Sequence, residues 1–313
     1  MAIGRSPRTE RTRLAVAGAR AATEAAFGRR SQADRAGNGL FFALLLLAVG
    51  VAIAGLAALI IWAIVTGGPR VNLGLLTGNP STVNPDQAGY RVAILGSLYV
   101  IAGVIVLIVP LGIGAALYLE EFADKTRWYN RLIEINIQNL AGVPSIVFGI
   151  LGLAFIVRGP FSLGFVAAAG SITIAMLVLP TVIIAAREAI RAVPPSIREG
   201  SLALGATQWQ TIWKQVLPAS LSGIMTGVIL AVARAIGEAA PLLLVGAKSF
   251  VTFNPSFFEG GYTTLPVQIY QWATRAQEEF HVLAAAGILV MLVLVLAMNS
   301  FAIWLRNRYE HKW

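Results

Sequence analysis

Apolar positions along this chain do not alternate with polar ones as they would on a half-buried strand or helix. They run on without interruption. A hydrocarbon layer about 30 Å thick takes roughly 20 helical residues at about 1.5 Å each. Six stretches approach or exceed that length: Leu40 to Val65, Val92 to Leu119, Leu140 to Val157, Leu163 to Ala186, Ala219 to Ala247, and His281 to Leu305. The third is the shortest, contains Pro144, and follows the polar run Glu134, Asn136, Gln138 and Asn139. The longest segments assigned outside the membrane, Thr66 to Arg91 and Lys248 to Phe280, have no core of their own. The pattern predicts an all-α integral membrane protein of six transmembrane helices. Its parts are a basic tail over 1–39, a six-span membrane domain over 40–305, and a short tail over 306–313.

Composition excludes the alternative of one or two soluble domains. Hydrophobic residues make up 57% of the chain and charged residues 12%, against about 25% charged in ordinary globular proteins. Mean hydropathy is +0.73. The formal charge of +9 would suit a nucleic-acid binder, but its placement does not. Eight of the 24 basic residues fall in the first 39 positions, and the others gather between apolar runs. With the N-terminus inside, the basic residues outside the spans divide into 18 internal and five external ones, which places both termini in the cytoplasm. The internal set comprises Arg5, Arg8, Arg11, Arg13, Arg20, Arg29, Arg30 and Arg35, then Lys125, Arg127 and Arg131, then Arg187, Arg191, Arg198 and Lys214, then Arg306, Arg308 and Lys312. The Arg-rich, Ala-rich start also has the composition of an organellar presequence. Arg29-Arg30 is followed by polar Ser31-Gln32 rather than an apolar core, so it is not a twin-arginine signal. With no Cys in the chain, disulfides, thiolate ligands and Cys nucleophiles are excluded, and His281 and His311 form no ligand cluster.

The loop after the fourth span, 187–218, carries local helix signals. Pro194-Pro195 interrupts the helix leaving the membrane, and Ser196 and Glu199 have capping-box spacing. Gly205 is placed to end that helix in a left-handed turn. Thr207 and Gln210 repeat the box, and a second helix runs towards Leu217-Pro218. Two short helices folded at a glycine predict a compact knob, with Leu202, Leu204, Trp209, Ile212 and Trp213 as exposed apolar positions. Such residues serve either as headgroup contacts or as anchors for a docked partner.

Glu199-Gly200-Ser201, Gly205 and Leu217-Pro218 have the spacing of the EAA loop of ABC-transporter permeases, which this segment resembles. Gly200 and Ser201 replace the two alanines, and Gln215 stands at the usual apolar position. The resemblance implies a coupling helix seated in a groove of a separate ATPase. Glu199 has a competing role, since the capping box would account for it without any ATPase.

The fifth span carries Arg234 and Glu238, four residues apart and so able to pair along one helix face. A charge at the centre of a membrane helix costs about 2.5 to 3.5 kcal/mol or more. On a wheel of about 100° per residue, the pair falls on the same face as the small residues Gly223, Gly227 and Ala231, the face that admits a neighbouring helix. Two readings stand: a self-neutralising structural pair, or an arginine that handles an anion and is balanced by Glu238 when the path is empty. A guanidinium fork suits phosphate or another tetrahedral oxyanion.

The run Arg234-Ala235-Ile236-Gly237-Glu238-Ala239-Ala240-Pro241-Leu242-Leu243-Leu244 resembles the fifth-span signature of phosphate-specific ABC permeases of the PstA type. The stretch from Ile133 to Ser145 and Leu265-Pro266-Val267 are similar to PstA-type segments as well. The likeness runs from about Ala93 to the C-terminus. It implies one permease subunit of a phosphate importer in a bacterial inner membrane, of the type I ABC importer fold. Its implied partners are a PstC-type permease, two copies of a PstB-type ATPase, a PstS-type phosphate-binding protein, and membrane lipid. It further implies that this chain binds no cofactor, ATP and Mg being held by the ATPase, and is not itself an enzyme.

Other features are set aside. Gly246-Ala247-Lys248-Ser249 lacks the second glycine of a phosphate loop. Glu120, Glu121 and Asp124 read as a solvated acidic loop, and Phe250, Phe253, Phe257, Phe258 and Tyr262 as an interfacial aromatic belt. Alternatives to phosphate import are transport of molybdate or sulfate, the PstC-type role, and, from another class, an ATP-independent transporter or channel, which would not need the knob.

Overall fold

The computed structural model describes residues 16–19, 32–124, 126–247 and 251–309. Most of the basic N-terminal residues, together with Lys125, Lys248, Ser249, Phe250, His311 and Lys312, lie outside the described residues. The chain divides into two units, Met1–Ile61 and Trp62–Trp313. In the first unit the described residues are helical: 16–19 and the greater part of α1 (Gln32–Gly67), which is apolar on every face from Leu40 onward.

The second unit is a helical assembly: α2 (Leu73–Thr77), α3 (Arg91–Leu117), α4 (Trp128–Ala141), α5 (Ser145–Leu151), α6 (Ala167–Arg191), α7 (Pro195–Ala203), α8 (Gln208–Thr211), α9 (Leu217–Gly237), α10 (Ala240–Leu244), α11 (Leu265–Ala273) and α12 (Glu278–Tyr309). Wide π turns extend α3 over Tyr118–Phe122, α5 over Gly152–Val157, and α8 over Ile212–Val216 into α9. Among the described residues the β structure is a single bridge, Ala247 to Tyr262. Five helices are long and apolar enough to cross a membrane, and six crossings result if the bent pair α4–α5 is one of them.

The core forms around α6, which packs against both α3 and α9. Val100, Val104 and Ile108 of α3 meet Ile174, Leu177, Val178 and Val182 of α6 in one buried cluster. The Ser171 hydroxyl lies 2.9 Å from the Ala167 carbonyl and 3.1 Å from the Val100 carbonyl, so it is satisfied inside that cluster. On its α9 side, α6 presents Ala185 and Ala189. A Cβ at Gly223 would stand 2.6 Å from the Ala189 Cβ, and one at Gly227 would run into the Ala185 Cβ. Two small faces thus let the backbones approach, as small-residue stripes do between membrane helices.

Three of the expected spans differ in detail. The third is not one straight crossing, because α4 and α5 meet at 109°. Pro144 stands at the N-cap of α5, and a proline disfavours helical backbone at the residue before it. With its π turn, α5 rises only about 20 Å. The fourth begins at Ala167 rather than Leu163, since Ser162 (φ 44°) and Gly164 (φ 74°) turn the chain first. The fifth stops at Gly237: Glu238 is extended (φ −76°, ψ 116°), and α10 follows as a separate turn. Pro241 explains the break, having no N–H for the Gly237 carbonyl and a ring that would collide with it.

The segment before α12 folds inward instead of lying wholly at the surface. Tyr262, Leu265 and Trp272 are buried, as is Phe280 in the first turn of α12. Trp272 meets Tyr90 edge-on at 4.6 Å, and the Tyr90 hydroxyl donates to the Leu283 carbonyl at 2.9 Å. The aromatic-belt reading therefore survives for exposed Phe253 and Phe258, whereas Tyr262 belongs to the core.

Candidate functional site

The knob has the helix–glycine–helix form expected of it. At the end of α7, Ala206 N–H donates to the Ser201 carbonyl (3.2 Å) and Gly205 N–H to the Leu202 carbonyl (2.9 Å), with Gly205 at φ +85°. That bond pair is a Schellman motif, which glycine adopts without a Cβ clash. The second helix starts on a complete capping box: Gln210 N–H donates to Thr207 Oγ1 at 3.3 Å, and Thr207 N–H to Gln210 Oε1 at 3.0 Å. The Ser201 and Thr211 hydroxyls, 2.9 Å apart, tie the two helices together.

The first capping box does not form. Pro194 occupies the N-cap of α7 with no side-chain bond, and Pro195 takes the first helical position. Its preset φ suits that position and its missing N–H leaves nothing to satisfy there. Ser196 is therefore already inside the helix, and Glu199 is exposed without a capping duty. Gly200 is exposed beside it, Leu217 begins α9 half-buried against the core, and Pro218 follows at the surface.

Among the apolar positions of the knob, Leu204 is 91% exposed and Leu202, Trp209 and Trp213 are exposed with it. Ile212 is not: it is buried, because the π turn carries it inward. Trp209 and Trp213 meet at 5.4 Å with their ring planes tilted by 58°, and Trp209 also approaches Phe122 at 6.4 Å. Gly200, Ser201, Leu204, Gln210 and Lys214 line a hollow of about 440 Å³ between the two helices.

At the base of the knob stands a charge network that the sequence reading missed. Glu120 is not part of a solvated loop, for its side chain is only 4% exposed and its Oε1 accepts from Arg187 Nε (2.8 Å) and Arg191 Nη2 (2.7 Å). Arg187, 7% exposed, also donates through Nη2 to Glu134 on α4 at 2.7 Å. Neighbouring Glu121 accepts from Arg198 at 2.7 Å. Of the three acids only Asp124 is solvated, and hydrogen bonds from the Thr126 hydroxyl and amide hold its carboxyl below the usual range. The available signal was weak: paired acids after a span and arginines at helical spacing after another.

Arg234 and Glu238 do meet, Nε to Oε1 at 3.4 Å, but at the end of α9 rather than midway along a continuous helix. Their side chains are 45% and 18% exposed. The small residues Gly223, Gly227 and Ala231 face or adjoin α6, and Ala231 is buried. Arg234 is exposed on the same edge of α9 as Leu230 and Gly237, in line with Gly223, which is exposed as well. An apolar groove of about 450 Å³ opens from Gly237 and Ala239 towards Pro266, Tyr270 and Met291. Glu238 engages the Nε edge of the guanidinium, so the terminal fork can still be approached by a tetrahedral anion.

Comparison with known proteins bears on the chain as a whole. The family described as binding-protein-dependent transport system inner membrane component matches residues 108–311, which contain the knob, the pair and the charge network. The chain is 34% identical to the probable ABC transporter permease protein YqgH of Bacillus subtilis, over 75% of each chain. It is 32% identical to the phosphate transport system permease protein PstA 1 of Mycobacterium tuberculosis, over 79% of this chain and 80% of that one. With the phosphate transport system permease protein PstA of Yersinia pestis the identity is 35%, over 74% and 77%. In fold it is similar to a chain of a bacterial alginate ABC transporter, at a TM-score of 0.63, 14% identity, and coverage of 91% and 99%. A chain of the MetNI methionine ABC transporter aligns at a TM-score of 0.56 and 15% identity, covering 71% and 97%.

Proposed function

This chain belongs to the family of binding-protein-dependent transport system inner membrane components, and we propose that within it the chain is the PstA-type permease subunit of an ATP-driven inorganic phosphate importer. The observation that carries the substrate is the identity of 32–35% to permeases named for phosphate transport, over about three quarters of the chain. The knob supports the energy source. Its Schellman turn at Gly205 and its exposed Leu204, Trp209 and Trp213 form a rigid projecting anchor of the kind a partner protein buries.

In this reading a PstC-type permease completes the path, two PstB-type ATPase subunits bind ATP and Mg, and a PstS-type protein delivers phosphate. The chain carries no nucleotide and catalyses nothing itself. Glu199, Gly200, Ser201, Gly205, Leu217 and Pro218 belong to the coupling loop 187–218 of the permease domain, 40–305. Closure of the ATPase pair displaces the knob, and the two permeases change which side their shared path faces. Arg234 and Glu238 line or gate that path: the half-exposed guanidinium lies on an edge of α9 that a second permease can cover. The 18 to five division of basic residues supports a cytoplasmic position for both termini, and a reporter fused to the C-terminus should read cytoplasmic.

The deciding experiment is labelled-phosphate uptake at micromolar substrate in cells lacking this chain, restored with the wild-type protein at matched membrane abundance. Recovery of uptake supports the reading. No recovery for phosphate, with recovery for molybdate or sulfate, replaces the substrate and leaves the coupling intact.

A further inference from the structure

By chain connectivity the knob is attached only to α6, which precedes it, and α9, which follows it. The charge network adds a third attachment. Glu121, in the π turn that ends α3, accepts from Arg198 of α7 through Nη2 (2.7 Å) and Nε (3.1 Å), and its backbone carbonyl accepts from Gln208 Nε2 of α8 at 2.7 Å. One residue of α3 thus holds both helices of the knob. Arg198 also donates to the carbonyls of Val193 (2.7 Å) and Ile190 (2.9 Å), closing the end of α6 into the same knot. Immediately before it, Glu120 binds Arg187 and Arg191 of α6, and Arg187 passes on to Glu134 of α4.

We propose that Glu120 and Glu121 form a joint through which displacement of the knob reaches α3 and α4, making Glu121 and Arg198 positioning residues for transport. The inference rests on the coupling role proposed above and extends it to helices that the chain does not join directly to the knob. Several short, charge-assisted bonds with little exposure resist shear better than apolar packing, which slides. The neighbouring carboxylates also divide the task. Glu120 fixes α3 to α6 in the interior, whereas Glu121 fixes α3 to the knob at its rim. A simple staple within the bundle would need only the first. Its placement between a projecting anchor and a membrane span is what assigns the second to transmission.

The test uses the full importer complex in proteoliposomes and compares wild type with Glu121→Gln, which keeps an acceptor and the side-chain shape. Two readouts are taken. The first is the distance between spin labels at Ala203→Cys on α7 and Val106→Cys on α3, the chain having no native Cys and being labelled before assembly with its partners. The second is phosphate taken up per ATP hydrolysed.

With the joint intact, the label separation stays the same when ATP closes the ATPase; in Glu121→Gln it changes. Uptake per ATP falls roughly tenfold while ATPase co-purification and basal hydrolysis persist. Glu121→Asp, which keeps the charge, holds the separation more nearly than Glu121→Gln does. The joint is overturned if Glu121→Gln leaves both readouts unchanged, or if it lowers only the yield or thermal stability of the complex. Should the wild-type complex move no phosphate, the substrate reading fails, and the label distances alone still decide the joint.

Discussion

Arg187 Nε and Glu120 Oε1 lie 2.8 Å apart although 67 residues separate them in sequence, and both side chains are almost wholly withdrawn from solvent. The pair explains how α3 and α6 stay in register where the protein leaves its apolar core. A buried pair stabilises little against an apolar equivalent, yet it is costly to break from one side.

Arg187→Leu should therefore destabilise the protein by about 1.5–3 kcal/mol, since Glu120, only 4% exposed, is left with Arg191 as its one remaining arginine. Glu134→Gln should cost far less, because Glu134 is 41% exposed and water replaces the lost contact. Thermal unfolding in detergent, monitored on matched preparations, orders the two. Equal effects would mean that Arg187 is not the hub.

At the knob, Gly205→Val forces a β-branched side chain into φ +85°, a conformation costing about 1–2 kcal/mol for residues with a Cβ. Loss of ATPase co-purification is the expected outcome, with the membrane domain still folded. Gly200→Ala, by contrast, meets nothing within 4 Å and should be neutral or stabilise α7 by about 0.5–1 kcal/mol. If co-purification survives Gly205→Val, docking does not depend on that turn.

The two capping-box sequences differ in what they do, and substitution can tell them apart. Thr207→Val removes a formed cap and should weaken α8 by about 1 kcal/mol. Ser196→Ala removes none and should be nearly silent. Hydrogen exchange over Gln208 to Thr211, and over Pro195 to Ala203, reads each directly. A large effect at Ser196 would restore it as the helix start.

Arg234→Gln should abolish uptake while leaving the complex assembled, and Arg234→Lys should restore it only weakly, because a point charge lacks the two parallel bonds of the guanidinium. Uptake at matched abundance in the deletion cells checks both. Normal transport by Arg234→Gln would reduce the contact with Glu238 at 3.4 Å to structure alone.

What the sequence determined by itself is whatever depends on neighbours in the chain. The long apolar runs required helices of membrane length. Gly205 required a left-handed turn, and Thr207 with Gln210 required a cap, because each involves bonds within a few residues. Even the local errors trace to local signals that were outweighed: Pro195 moved the start of α7, and Pro241 ended α9 at Gly237. Arg234 and Glu238 were legible as a pair for the same reason. Tertiary structure alone decided what covers that pair: α6 packs on Gly223 and Gly227, while the side chains of Arg234 and Glu238 stay 45% and 18% exposed. It likewise decided the fate of the acids after α3. A run of carboxylates looks the same in sequence whether water or arginine solvates it, and the arginines that bury Glu120 and Glu121 are 67 and 77 residues away.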